Sequence, residues 1–113
     1  MYGIELLLGA EINILDTQGT LDLDEFHMSL LDLRIAGIHS LCYTPGTPEE
    51  NTQGMIKAIE NPYTHIISHP GDGTAKLLFE PIVQAAKAHH TLLEINNSSL
   101  NLAATKWRHG PTT

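Results

Sequence analysis

Four side chains that could do chemistry recur at nearly constant intervals along the chain. Glu11 precedes His39 by 28 residues, and His39 precedes His69 by 30. Asn96 follows 27 residues after His69. Imidazole nitrogen and carboxylate oxygen suit zinc, manganese or iron, and three protein ligands leave a position for water or substrate. A single histidine after a strand is more often structural, so the prediction of a metal site at Glu11, His39 and His69 depends on their shared spacing.

The segments that must position these residues are short apolar runs, typical of strands that a parallel sheet buries on both faces. A (β/α) barrel of eight units spends roughly 31 residues on each strand and its helix, which is close to the intervals above. The carboxyl ends of parallel strands meet at one edge of the sheet, so the three ligands should converge there. The predicted strands lie within residues 2–8 and 12–15, which flank Glu11, and within 33–38, 65–68 and 91–95.

The segments between these runs predict the helices that cross from one strand to the next. Thr47, Pro48 and Glu50 are typical of a helix start with a capping box, and Asn61-Pro62 should end that helix. Further helices are predicted over residues 78–90 and, from a weaker apolar pattern, 21–31. The sequence therefore predicts an α/β fold of about four parallel βα units in a single domain, residues 1–113, with residues 101–113 as a frayed tail.

The composition excludes several classes of protein. Six basic and 13 acidic side chains give a net charge of −7, which disfavours binding to nucleic acid or to anionic membranes. The single Cys42 cannot form an internal disulfide, and we expect it to be buried as a small apolar side chain. No apolar run approaches the roughly 18 residues of a membrane span, so we expect a cytoplasmic protein without a membrane partner.

Five motifs in order along the chain resemble the PHP family, named after polymerase and histidinol phosphatase. The similarity is greatest to its YcdX-like phosphatase branch and extends over nearly the whole chain. The motifs are GAEIN at 9–13, AGIH at 36–39, NTQGMI at 51–56, IISHPG at 66–71 and LEINNSS at 93–99.

The resemblance implies a distorted seven-stranded (β/α) barrel with a trinuclear metal site, usually zinc, that hydrolyses a small phosphorylated substrate. Glu11 then matches a carboxylate that bridges two metals, and His39 and His69 match ligands of one of them. The resemblance also implies substrate-binding roles, for Arg108 at the phosphate and for Asn96 and Asn97 at the rim of the site.

The chain also departs from the family pattern, because it contains neither the His-x-His pair nor the Asp-x-His pair of metal ligands. We therefore expect the central part of a PHP-like domain, a partial barrel in which one metal site is largely retained. The alternative is a catalytically incomplete metal-binding or assembly fragment. Its exposed sheet edges would make it a homo-oligomer or pair it with a complementing chain. A metal-dependent amidohydrolase barrel uses the same ligand types but would also need paired histidines on its first strand.

Overall fold

Four short segments form one parallel sheet in the computed structural model, which describes residues 3–70 and 74–95. The strands follow one another in chain order across the sheet, and each connection to the next contains a helix. This arrangement confirms the predicted α/β class with four parallel strands, whereas closure into a barrel and the single domain stay predictions. The elements are β1 (Gly9–Asn13), α1 (Glu25–Ser29), β2 (Leu33–Gly37), α2 (Pro48–Glu60), β3 (Ile66–Ile67), α3 (Phe79–His89) and β4 (Leu92–Leu93).

Local sequence signals account for the helices. The Thr47 hydroxyl accepts a hydrogen bond from the Glu50 backbone N–H at 3.1 Å, and the Glu50 carboxylate accepts one from the Thr47 N–H at 2.9 Å. The predicted capping box of α2 is thus confirmed, and α2 ends at Glu60, directly before Asn61-Pro62. Helix α3 occupies the predicted segment, and only the five residues of α1 are helical in the weakly patterned one.

One face of the sheet is covered by helices. Because side chains alternate along a strand, the parallel registers line up one residue from each strand on this face. Residues of α2 and α3, including Met55, Ile59 and Ile82, pack with the sheet residues into the core. We call this the covered face, and its row of residues is Ile12, Ala36, Ile67 and Leu93.

The opposite face carries a different row of residues, and we call it the open face. Ile35 and Ile66 are half-buried, whereas Glu11 is exposed and 66% of Leu92 is accessible to solvent. In the covered row, by contrast, Ile67 is completely buried. The open face is the row Glu11, Ile35, Ile66 and Leu92.

Two expectations from the sequence are wrong. Residues 3–8 form no strand. The paired register of β1 and β2 begins at Gly9 and Leu33, and Leu8 contacts the start of β2 through its carbonyl oxygen, which accepts a hydrogen bond from the Leu33 N–H at 3.1 Å. Glu11 therefore lies inside β1 rather than between two strands. Cys42 is exposed, since it belongs to the loop after β2 and not to an element that faces the core. In the part of the chain that the structure describes, no helix has the length and apolar character needed to cross a membrane.

Candidate active site at the carboxyl edge of the sheet

Two of the predicted metal ligands lie side by side beyond the ends of neighbouring strands. His39 follows β2 and His69 follows β3, and β2 pairs with β3 in parallel. The centroids of the two imidazole rings are 5.1 Å apart, and the ring planes are inclined by 81°. Both residues are half-buried. The carboxyl edge of the sheet thus brings together two imidazole rings that are 30 residues apart in sequence.

The ring of His39 is held by a polar side chain at the end of β1. Its Nδ1 lies 2.8 Å from Oδ1 of Asn13. The amide nitrogen of Asn13 donates in turn to the carboxylate of Asp22 at 2.7 Å, and the Asn13 backbone N–H donates to the same carboxylate at 2.9 Å. Neither Asn13 nor Asp22 was predicted as a site residue, although Asn13 lies in the GAEIN motif.

His69 sits at a constrained turn of the backbone. Its φ of 31° is in the left-handed region that side chains other than glycine seldom adopt, and such strain tends to persist at functional sites. The His69 N–H donates to the carboxylate of Glu94, just after β4, at 3.2 Å. Ser68 is buried against Gly37, where an added β-carbon would overlap the Ser68 hydroxyl. Four strand ends therefore contribute Asn13, His39, His69 and Glu94 to one edge.

Glu11 lies within β1 rather than beyond a strand end. It lies on the open face, two residues before Asn13, and its side chain is exposed. Within residues 3–70 and 74–95, no three His, Cys, Asp or Glu side chains are grouped so that they could hold a metal ion. The predicted substrate contacts Asn96, Asn97 and Arg108 lie outside the described residues.

The loops that carry the two histidines are tied together by Asn51 of α2, whose side chain is buried. Its Oδ1 accepts hydrogen bonds from the Tyr43 hydroxyl at 2.7 Å and from the Gly46 N–H at 2.9 Å, both in the loop after β2. Its amide nitrogen donates to the carbonyl oxygen of Lys76 at 3.1 Å, in the segment after β3. Asn51 thus fixes the two loops relative to one another.

The electrostatics of this cluster favour a neutral Tyr43. Burial raises the pKa of the Tyr43 hydroxyl, and the negative charges of Asp16 and Glu50 raise it further. Tyr43 therefore remains protonated and donates to Asn51 across the physiological pH range.

A second polar cluster lies at the amino end of the sheet and differs in character. The guanidinium of Arg34 donates to the backbone carbonyl oxygens of Met28, Leu31 and Tyr63 and lies beside the ring of His65. The guanidinium therefore holds two backbone segments, residues 28–31 and the one at Tyr63, against β2. This is a structural use of polar groups, because the donors are directed at the main chain.

Comparison with known proteins gives the chain a consistent set of relatives. It is 46% identical over 99 residues to a probable phosphatase of Clostridium novyi, which covers 88% of this chain and 41% of that protein. A probable phosphatase of Thermoanaerobacter sp. (strain X514) is 45% identical over 98 residues, covering 86% of this chain and 40% of the relative. One from Acetivibrio thermocellus is 40% identical over 99 residues, covering 88% of this chain and 41% of the relative.

The chain spans about two fifths of the length of these curated relatives. Compared with models of known protein families, it matches none. Over most of its own length, the chain is therefore similar to proteins named probable phosphatases.

Proposed function

We propose that this chain carries part of the active site of a metal-dependent phosphoesterase of the PHP type, acting on a small phosphorylated substrate. The observation that carries the proposal is the pair of adjacent imidazoles, His39 and His69, at the carboxyl edge of a parallel sheet. Ligands and chemistry are usually found at this edge in α/β proteins. The similarity to probable phosphatases over 88% of the chain supports phosphate-ester hydrolysis as the reaction.

The chemistry of the donor set fits a transition metal. Two imidazoles suit zinc, and also manganese or iron, which prefer nitrogen and oxygen ligands. We propose His39 and His69 as ligands of one ion and Glu11 as the carboxylate ligand from β1. Asn96, Asn97 and Arg108 are proposed as contacts to the substrate.

The residues of the chain have separate tasks in this proposal. A metal ion held by these residues would supply Lewis acidity and would make water a better nucleophile at neutral pH. His39 and His69 place two imidazole rings side by side beyond the ends of neighbouring strands. Glu94 holds the backbone of His69 in its constrained turn through the 3.2 Å hydrogen bond. Asn51 fixes the loop after β2 relative to the segment after β3 through its side-chain hydrogen bonds.

Metal binding is the direct test. We expect the metal-free chain to take up about one zinc ion in a calorimetric titration, because the three proposed ligands would form one metal site. His39→Ala and His69→Ala should abolish this uptake, and Glu11→Gln should weaken it. His89→Ala is the matched control, because His89 is an exposed histidine at the end of α3.

The outcomes are distinct. Uptake that is unchanged in His39→Ala and His69→Ala contradicts the metal site. Uptake that is unchanged in Glu11→Gln removes Glu11 from it. Hydrolysis of an aryl phosphate by the zinc-loaded chain, absent in His39→Ala, would support the phosphoesterase itself.

The open face favours a second candidate, a metal-binding assembly unit without turnover. Leu92 and Ile35 present apolar surface on this face of the sheet, and such surface tends to be covered by another chain. Zinc uptake without hydrolysis, together with dimers or larger species on a sizing column, would favour this candidate over the enzyme.

A further inference from the structure

We propose that Asp22 and Asn13 are positioning residues that set the tautomer of His39, so that its Nε2 is the nitrogen available to a ligand. The relay runs from a carboxylate through an amide to an imidazole. The purpose of the relay rests on the proposed function, whereas the tautomer can be measured on the metal-free chain.

The first step is the orientation of the Asn13 amide. An ionised carboxylate only accepts hydrogen bonds, so the atom of Asn13 that faces Asp22 must be the nitrogen, which donates at 2.7 Å. The backbone N–H of Asn13 donates to the other carboxylate oxygen at 2.9 Å. Because both donors point to one carboxylate, turning the amide over would place two oxygens against each other. Asp22 thereby directs Oδ1 of Asn13 toward His39.

The second step is the proton on the imidazole. Amide oxygen only accepts hydrogen bonds, so Nδ1 of His39, at 2.8 Å, must carry the hydrogen. In a neutral imidazole the other nitrogen then holds a lone pair. Among residues 3–70 and 74–95, Nε2 of His39 has no hydrogen-bond partner. Histidine ligands of metals commonly owe their tautomer and orientation to such an outer hydrogen bond.

The third step is the rigidity of the relay. Besides the two bonds above, the backbone N–H of Asp22 donates to the carbonyl oxygen of Asn13 at 3.1 Å. Ile14 and Leu21, the sequence neighbours of Asn13 and Asp22, form an antiparallel bridge. This bridge closes the loop that connects Asn13 to Asp22. Main-chain contacts therefore hold Asp22 next to Asn13, in addition to the hydrogen bonds of its side chain.

The exposure of the relay distinguishes it from a stability device. Asp22 is exposed, while Asn13 and His39 are only half-buried. Hydrogen bonds in contact with solvent contribute little to the free energy of unfolding, because water replaces the lost partner. The relay should therefore affect the imidazole more than the fold.

The test is long-range ¹H–¹⁵N NMR of the metal-free chain near pH 8. We expect the Nδ1–H tautomer of His39 in the unmodified chain. In Asp22→Asn the new amide can donate to Oδ1 of a reversed Asn13, whose nitrogen then faces His39, so the Nε2–H tautomer should dominate. Asn13→Leu removes the acceptor and should also abolish the preference for Nδ1–H.

The matched control is Asp24→Asn, the same chemical change two residues away, at the N-cap of α1. It should leave the His39 signals unchanged. An Nε2–H tautomer in the unmodified chain, or signals that do not move in Asp22→Asn, would overturn the relay. A tautomer shift in Asp24→Asn as large as the one in Asp22→Asn would overturn it as well.

A second readout separates the relay from the proposed function. Zinc affinity, measured by competition with a chelator, should fall by about 10- to 100-fold in Asp22→Asn and stay unchanged in Asp24→Asn. An Nδ1–H tautomer in a chain that binds no zinc would support the relay and contradict the metal site. Zinc binding that needs His39 but is equally tight in Asp22→Asn would support the site and contradict the relay.

Discussion

The covered face and the open face belong to the same four strands but have different surroundings. Ile67 is completely buried beneath the helices, whereas Ile66, its neighbour in β3, is only half-buried on the other side. Glu11 and Asn13 lie on the open side of β1. The contrast shows that successive residues of one strand, which lie on opposite faces of the sheet, can have different roles. The covered face holds the fold together, whereas the open face contacts solvent and ends at a carboxyl edge where Asn13 meets His39.

The largest effect should come from truncating the covered face. We expect Ile67→Ala to lower the free energy of unfolding by about 2–5 kcal/mol, since it leaves a cavity among packed core residues. Ile66→Ala, one residue away, should cost less than about 1.5 kcal/mol because its side chain already contacts solvent. Urea denaturation monitored by circular dichroism measures both. Equal losses at the two positions would break the comparison between the faces.

The covered side also contains a polar cluster, and removing it gives the next largest effect. Asn51→Ala leaves the Tyr43 hydroxyl, the Gly46 N–H and the Lys76 carbonyl oxygen without their bonds to this side chain. The Tyr43 hydroxyl is buried, and a buried group without a partner costs about 1–3 kcal/mol, so we expect a loss of that size in thermal unfolding. Gln53→Ala, at an exposed position of the same helix, is the control and should change stability by less than about 0.5 kcal/mol. A stable Asn51→Ala chain would show that the loops are held by other contacts.

Local signals made much of this architecture predictable. The capping box at Thr47 and Glu50 and the stop at Asn61-Pro62 concern neighbouring residues, so they can be recognised without the sheet. The regular spacing of His39 and His69 likewise pointed to two side chains that the fold places next to each other.

Other features depend on the register between strands, which the sequence does not display. The start of β1 at Gly9, and with it the place of Glu11, is set by where β2 begins. Asn13 meets His39 across 26 residues, and Asp22 reaches Asn13 through a loop whose closure is a tertiary event. Asp22 itself carries no sequence signal that separates it from the other surface carboxylates.

The smallest effect is expected on the open face. Leu92 is 66% exposed, so Leu92→Gln should change the free energy of unfolding by no more than about 0.5 kcal/mol. Chemical denaturation at two protein concentrations measures this change. A larger loss that grows with concentration would show that a second copy of the chain covers this face in solution. Both the covered face and the open face would then be buried in the assembled protein.

The parallel order of the strands has a thermodynamic consequence. His39 and His69 are brought to one edge by the pairing of β2 with β3. A molecule that binds both imidazoles therefore binds the native chain and not the unfolded one. Such a molecule acts as a removable cross-link across two strands. By linkage, it would add about 2.7 kcal/mol to native stability at a hundredfold excess over its Kd. A rise in Tm on adding a candidate ligand would therefore report assembly of this edge even where no catalysis can be measured.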